Sequence, residues 1–202
     1  MSGASANLHS IRIARKVDRT QINLTVNGAR HDVSVRPYDV LLDVLREQLL
    51  LTGTRRGCDM GTCGCCTVIL DGRPVLSCLT LALAAEGSTV TTIEGVADLE
   101  AGEALHPVQE AFVQTGASQC GFCTPGFIMS AVSLLERRPD PTDDEIREAI
   151  SGNICRCTGY VAIIEAIGRA ARVLRERRPA RPAGGAGGEA GDGAFASGGS
   201  RR

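Results

Sequence analysis

Tryptophan is absent from the 202-residue sequence, and other aromatic residues are scarce, with two tyrosines and four phenylalanines. A hydrophobic core must therefore be mostly aliphatic, and two small aliphatic cores would be only marginally stable without an additional constraint. The chain also lacks any run of about 20 apolar residues, the length that a membrane-spanning helix requires. Its first twenty residues lack the apolar segment of a signal peptide. We therefore expect a cytoplasmic protein without a transmembrane segment.

The sequence has no excess of charge of either sign, since 22 Lys and Arg residues are balanced by 23 Asp and Glu residues. The net charge of −1 argues against electrostatic binding to nucleic acid or to a membrane surface. Cysteine, in contrast, is plentiful, with nine residues. In a reducing cytoplasm they favour metal ligation over disulfide bonds, and the odd number leaves at least one outside any four-ligand scheme.

Apolar alternation and turn signals predict a small mixed sheet in the first half of the chain. Asn27-Gly28 and Asp71-Gly72 each join two strand patterns, as expected of tight hairpins. Leucines at helical spacing predict a helix between the two hairpins. The predicted elements are strands 21–26 and 31–35, a helix over 39–49, strands 67–70 and 73–77, and a fifth strand over 89–93. This order is typical of the β-grasp domain of plant-type ferredoxins.

The second half of the chain, after Gly95, is predicted to be helical. Pro125 suits the first turn of a helix, and Thr142 with Glu145 forms a capping-box pattern. The predicted helices cover about residues 106–114, 125–137, 142–150 and 160–176. The sequence thus predicts an α+β protein in four parts: a flexible extension 1–19, a ferredoxin-like β-grasp domain 20–96, a four-helix domain 97–177 and a disordered Gly/Ala-rich tail 178–202.

Four cysteines of the first half follow the spacing C-x4-C-x2-C-x11-C: Cys58, Cys63, Cys66 and Cys78. The first three have the plant-type spacing for one [2Fe–2S] cluster, and interleaved glycines let a loop wrap tightly around it. Zinc sites usually bring two short cysteine pairs, so zinc is a poor match here. Either Cys65 or Cys66 could be the third ligand. Plant-type spacing selects Cys66 and leaves Cys65 as a small apolar residue.

The remaining four cysteines form a C-x2-C pair and a C-x-C pair on either side of residues 124–154: Cys120 with Cys123, and Cys155 with Cys157. Both pairs lie at predicted helix boundaries, and two helix ends in one bundle can meet. A helix N-terminus there would add positive potential and stabilise thiolates. Spacing alone leaves two alternatives open, a second [2Fe–2S] cluster and a zinc ion.

Three segments contain six of these cysteines: residues 57–64 (GCDMGTCG), 119–126 (QCGFCTPG) and 152–160 (GNICRCTGY). They closely resemble the iron–sulfur subunit of the xanthine oxidase family of molybdenum hydroxylases, of the carbon-monoxide dehydrogenase small-subunit type. The resemblance covers about residues 20–170 and includes residues 41–47 and 106–109. It implies a β-grasp domain with one [2Fe–2S] cluster, followed by a four-helix domain with a second.

The resemblance also implies roles for individual residues and for partner chains. The eight cysteines above would be cluster ligands, and Gln119 would contact a molybdenum pterin on a large partner subunit. Electrons would pass from that pterin through the helical-domain cluster and the β-grasp cluster. They would leave to FAD on a medium subunit or to an external acceptor. The complex would be a heterotrimer or its dimer, and this chain, without a catalytic residue of its own, would be inactive alone.

Two positions depart from the family pattern without removing a ligand. Cys65 stands where relatives usually have a small residue such as Ala, and Leu50 stands where many have Gly.

The residues leave three functions open: an obligate subunit of a molybdenum hydroxylase, a free two-cluster ferredoxin, or a zinc-binding interaction module. The near-neutral charge argues mildly against a free carrier, since soluble carriers often dock through a strongly charged face.

Overall fold

The structure, a computed structural model, describes residues 17–97 and 105–177. Most of the predicted extension 1–19 and all of the predicted tail 178–202 lie outside the described residues. The ordered elements follow the expected sequence of two hairpins, an intervening helix, a last strand and four further helices.

The first hairpin pairs strand β1 (Thr20–Val26) with strand β2 (Ala29–Val35) in antiparallel register. Asn27 and Gly28 both have positive φ, +49° and +82°, which is the twist that a two-residue hairpin turn requires. Side chains alternate along β1, so that every second residue enters the core beneath the sheet. The predicted hairpin is confirmed.

The second hairpin joins β3 (Thr67–Leu70) to β4 (Arg73–Leu76), again through two positive-φ residues. Strand β5 (Thr89–Thr91) then enters between the hairpins, parallel to β1 and antiparallel to β3, which gives the order β2-β1-β5-β3-β4. The expected α+β fold with a β-grasp sheet is confirmed. Strand β5 is shorter than predicted because the Thr92 amide donates to the Asn27 side chain instead of to a neighbouring strand.

The predicted helix over 39–49 is only partly correct. Helix α1 comprises one α-helical segment, Leu41–Asp43, that continues as a π-helix over Val44–Gln48. The Leu49 amide donates to the Val44 carbonyl five residues earlier, and Leu50 follows with a φ of +58°. Leu41, Leu42, Val44 and Leu45 are all fully buried. Burial of four of five consecutive residues against the sheet overrides the 3.6-residue period that the leucine spacing indicated.

Four helices follow: α2 (Pro107–Gln114), α3 (Thr124–Arg137), α4 (Asp143–Ala149) and α5 (Val161–Arg177). The Thr142 hydroxyl and the Glu145 carboxylate form the predicted capping box of α4. His106 caps α2 and accepts from the Val108 amide at 3.2 Å, as expected for a residue that starts a helix. Among the described helices, none is both long and apolar enough to cross a membrane.

Strand β3 connects the two hydrophobic cores. Val68 points into the aliphatic core of the sheet, whereas its neighbour Ile69 belongs to the core formed by the helices. Helix α3 packs on the outer face of β3 and therefore brings its N-terminus to the loop that precedes this strand. The domain bounds 20–96 and 97–177 stay a prediction, but the two cores are built mainly from these two parts of the chain. Three residues of the first part pack in the helical core: the buried Ile69 and the partly buried Ile93 and Val96.

Candidate metal centres

All nine cysteines are free thiols, and eight of them lie in two groups. In the first group, the loop between α1 and β3 carries Cys58, Cys63 and Cys66, and Cys78 follows strand β4. The Cys58 sulfur contacts the Cys63 sulfur, and the Cys66 sulfur contacts the Cys78 sulfur. The Ser77 amide and hydroxyl both bond to the Cys66 carbonyl, at 3.3 Å and 2.7 Å, and this fixes the end of β4 beside the loop.

Hydrogen-bond donors of the loop surround the Cys58 sulfur. The Met60 amide, then the hydroxyl and amide of Thr62, lower the pKa of this thiol to about 6. Burial and the neighbouring Cys66 raise the pKa of the Cys78 thiol to about 12. Four such sulfurs cannot all ionise side by side without a compensating positive charge, which bound iron would supply.

A glycine with positive φ forms the turn of this loop. Gly61 has a φ of +74°, and a Cβ there would lie 2.3 Å from the Leu79 side chain. Its amide donates to the Cys78 sulfur, so the turn brings a backbone donor to the fourth thiol of the group. Amide donors to sulfur are one means by which proteins set the potential of an iron–sulfur cluster.

Cys65 is a buried neighbour of Cys63. Its side chain is buried, and its sulfur is 3.8 Å from the Cys63 carbonyl. Burial, followed by contact with the Cys63 thiol, raises its pKa to about 12. Cys66, not Cys65, faces Cys78, which is the geometry expected if Cys66 is the third ligand.

The second group is formed by the turn before α3 and the loop between α4 and α5. The Cys120 and Cys157 sulfurs are 3.5 Å apart and exposed, and Cys123 contacts the buried Cys155. Burial and Cys155 raise the pKa of Cys123 to about 12. The predicted C-x2-C and C-x-C pairs therefore do meet, although they are separated by a helical hairpin in the sequence.

Thr158 and Tyr160 hold the C-x-C loop in place. Burial opposes ionisation of Cys155, but the Thr158 hydroxyl at 3.1 Å and its amide at 3.4 Å donate to this sulfur and the net effect lowers its pKa. The Tyr160 hydroxyl accepts from the Cys155 amide at 3.0 Å and donates to the Asn153 carbonyl at 3.4 Å. Its ring packs edge-on against Phe127 of α3.

The two cysteine groups are in direct contact through backbone. The Ile154 amide donates to the Cys63 carbonyl at 2.9 Å, and the Asn153 side-chain amide donates to the Gly64 carbonyl at 3.0 Å. Gly126 of α3 lies so close that a Cβ on it would be 2.2 Å from the Gly64 oxygen. Gly64, which follows Cys63, is thus in contact with Asn153, which lies two residues before Cys155.

The arrangement of thiols fits two binuclear clusters. Within residues 17–97 and 105–177, no three cysteine, histidine or acidic side chains are placed to hold a single metal ion. Each group instead contains two thiol pairs, Cys58 with Cys63 and Cys66 with Cys78, then Cys120 with Cys157 and Cys123 with Cys155. In the first group Cys65 also contacts Cys63. A [2Fe–2S] cluster needs two such pairs, because each of its two irons takes two protein ligands.

Gln119 precedes Cys120 in the exposed turn between α2 and α3. Its side chain is exposed, as are the adjacent Cys120 and Cys157. A contact to a cofactor on a partner chain stays a prediction for this residue.

Comparisons with known proteins agree with this geometry. The model of the 2Fe-2S iron-sulfur cluster binding domain matches residues 24–91, and that of the [2Fe-2S] binding domain matches residues 92–168. The chain belongs to the small iron–sulfur subunits of the molybdenum hydroxylases. It is 51% identical to the nicotine 6-hydroxylase small subunit of Paenarthrobacter nicotinovorans, over 74% of this chain and 88% of that protein.

Two further members show the extent of the similarity. The nicotinate dehydrogenase small FeS subunit of Eubacterium barkeri is 48% identical over 75% of this chain and 94% of that one. The matching chain of quinoline 2-oxidoreductase from Pseudomonas putida 86 superimposes with a TM-score of 0.74 at 46% identity, covering 79% of this chain and 98% of that chain. Like its relatives, this iron–sulfur subunit is an electron-transfer component of a dehydrogenase with several subunits and binds two [2Fe–2S] clusters.

Sequence reasoning missed three polar residues of these centres: Ser130, Asn153 and Thr158. Asn153 and Thr158 lie in the quoted segment 152–160, where their closeness to Cys155 was the available signal. Ser130 lies in the middle of α3, and a serine within a helix carries no such signal.

Proposed function

We propose that Cys58, Cys63, Cys66 and Cys78 hold one [2Fe–2S] cluster, and that Cys120, Cys123, Cys155 and Cys157 hold the other. The observation that carries this proposal is the arrangement of each group as two thiol pairs. Cys65 takes part in neither, because its sulfur contacts Cys63, whereas the thiol that contacts Cys78 is that of Cys66. The bounds 20–96 and 97–177 assign one cluster to each domain.

The clusters, when bound, supply one-electron transfer. The chain's own residues hold the thiolates, donate amide and hydroxyl hydrogen bonds to sulfur, and exclude water from the space between the two groups. Asn153 and Gly126 fill that space, and both are buried. The chain therefore provides conduction, and the reaction with substrate belongs to a partner.

Exposed apolar side chains support a partner at each cysteine group. Phe122, Ile154 and Val161 are 45%, 51% and 74% exposed beside the helical group. Met60 and Leu79 are 69% and 60% exposed at the loop of the first group. These side chains provide apolar surface that a partner could cover.

We assign the helical end, with Gln119, to a large subunit that carries molybdenum pterin, and the β-grasp end to a medium subunit that carries FAD. The assembly is a heterotrimer or its dimer. Electrons run from the helical group to the β-grasp group.

Nine free thiols support assembly in the reducing cytoplasm, which cell fractionation would check.

The test is purification of the full chain from its native source, followed by metal analysis and EPR. We expect about four irons and about four acid-labile sulfides per chain and two distinct reduced signals. Co-elution with molybdenum and flavin chains supports the assigned partners. A chain that elutes alone with iron is a free carrier, and stoichiometric zinc without colour contradicts the cluster assignment.

A further inference from the structure

Asn153 has an unusual position for a polar side chain. It is only 5% exposed, yet each of its four polar atoms has a hydrogen-bond partner. Its Nδ2 donates to the Gly64 carbonyl at 3.0 Å, and its Oδ1 accepts from the Ser130 hydroxyl at 2.8 Å. One side chain therefore links the first cysteine loop, helix α3 and the second cysteine loop.

The bonded neighbours of Asn153 are next to cysteines of both groups. Gly64 directly follows Cys63, and Asn153 itself is two residues before Cys155. A buried amide that satisfies three segments at once restricts their relative position, because any displacement would leave a buried donor or acceptor unpaired. The Ser130 hydroxyl fixes which way the amide points, since it donates to Oδ1 and leaves Nδ2 facing Gly64.

We propose that Asn153 is a positioning residue that fixes the distance between the two clusters, and that Ser130 orients its amide. This inference rests on the proposed ligand sets. The inference goes beyond the ligand sets, because it names one buried hydrogen bond that sets the separation of the two clusters. Loss of the Nδ2 donor lets the loops move apart without removing any ligand.

The test uses the full-length chain with both clusters and the variants Asn153→Asp and Ser130→Ala. Aspartate keeps an oxygen that accepts from Ser130. Its second oxygen replaces the Nδ2 donor and repels the Gly64 carbonyl oxygen, which pushes the two loops apart. The readout is low-temperature EPR of the fully reduced chain, in which each paramagnetic cluster broadens the signal of the other to a degree that falls steeply with separation. We expect both signals to remain and their mutual broadening to be lost in Asn153→Asp and weakened in Ser130→Ala.

Two matched controls separate positioning from general destabilisation. Ser133 is a second buried serine of α3, and its hydroxyl has no hydrogen-bond partner among the described residues, so Ser133→Ala should leave the broadening unchanged. Asn27→Asp removes an equivalent amide donor, to the Thr92 hydroxyl at 2.9 Å, within the β-grasp domain and should also leave it unchanged.

Unchanged broadening in both Asn153→Asp and Ser130→Ala would overturn the proposal. If Asn153→Asp fails to take up clusters, Ser130→Ala alone decides. Equal loss of broadening in the Ser133→Ala or Asn27→Asp control would also contradict it. Absence of either signal from the wild-type chain would refute the ligand sets, and the role of Asn153 with them.

Discussion

The Ile154 amide donates to the Cys63 carbonyl at 2.9 Å, which joins two loops that carry cysteines of different groups. Ile154 directly precedes Cys155, so a single hydrogen bond and a few covalent bonds connect the two centres. The contact is possible because small residues, Gly64 and Gly126, allow the backbones to approach. The two cysteine groups are therefore joined by close backbone packing as well as by a hydrogen bond.

Gly126→Ala should destabilise the chain, although alanine favours a helix by about 1 kcal/mol over glycine. The added Cβ would lie 2.2 Å from the Gly64 oxygen and 3.0 Å from the Cys65 Cα, which are backbone positions that cannot yield cheaply. Overpacking of this kind costs about 1–3 kcal/mol. For a chain of this size each kcal/mol corresponds to about 2–4 °C in Tm, which calorimetry of the cluster-loaded chain can measure.

The control for this prediction is Gly152→Ala, in the adjoining loop. A Cβ on Gly152 would meet nothing within 4 Å, and its φ is not positive. We expect its Tm to stay close to that of the wild type. An equal loss in both variants would show that the close approach of Gly126 to Gly64 is not the cause.

Single substitutions of Cys65 and of Cys66 distinguish the roles of these two adjacent thiols. Cys66→Ser removes the partner of Cys78 and should eliminate the β-grasp EPR signal while the helical signal remains. Cys65→Ser should leave both signals, because its sulfur faces the Cys63 carbonyl. Loss of a signal in Cys65→Ser alone would show that the ligand assignment at this loop is wrong.

The hairpins, the helix caps and the grouping of cysteines could be predicted because their signals are local. Asn27-Gly28 carries its own turn geometry, and Thr142 with Glu145 caps a helix within four residues. The contact between Asn153 and Gly64 could not be predicted, since 89 residues separate them and the acceptor is a backbone carbonyl. No pattern of side chains records such a bond.

Helix α1 shows the converse limit of local patterns. Leucines at helical spacing correctly predicted a helix, but the π-helix over Val44–Gln48 arises from burial against the sheet. Periodicity reports which residues are apolar, and it does not report how much volume the facing sheet leaves for them. The exact backbone geometry was therefore set by tertiary packing.

Thr158→Val should make the reduction potential of the helical cluster more negative. The Thr158 hydroxyl donates to the Cys155 sulfur at 3.1 Å, and donors to sulfur stabilise the more negative, reduced form. Loss of one such donor, at roughly 1 kcal/mol of difference between the two states, corresponds to a shift on the order of 50 mV. Redox titration followed by EPR would measure it, with the β-grasp potential as an internal reference.

Thr124→Val is the matched control for that measurement. Thr124 is adjacent to Cys123, but its hydroxyl donates to the Ser118 hydroxyl at 3.0 Å instead of to sulfur. In Thr124→Val the reduction potential of the helical cluster should therefore stay near the wild-type value. A comparable shift in Thr124→Val would mean that loss of polarity near the cluster, and not the bond to sulfur, sets the potential.

Cys58 should be the most readily alkylated of the buried and half-buried thiols in the metal-free protein. Its pKa of about 6 lies below the ordinary thiol value, so it is mostly thiolate above pH 6, and its alkylation rate should fall as the pH is lowered through 6. Cys123, with a pKa of about 12, stays protonated across this range and should react slowly. Peptide mapping after brief iodoacetamide treatment from pH 5 to 8 measures both residues in one sample. Thr62→Val removes one hydroxyl donor to Cys58 and should move the midpoint of its pH profile upward. The pKa of an ordinary thiol is about 8.5. A wild-type midpoint near that value would show that these donors do not act on Cys58.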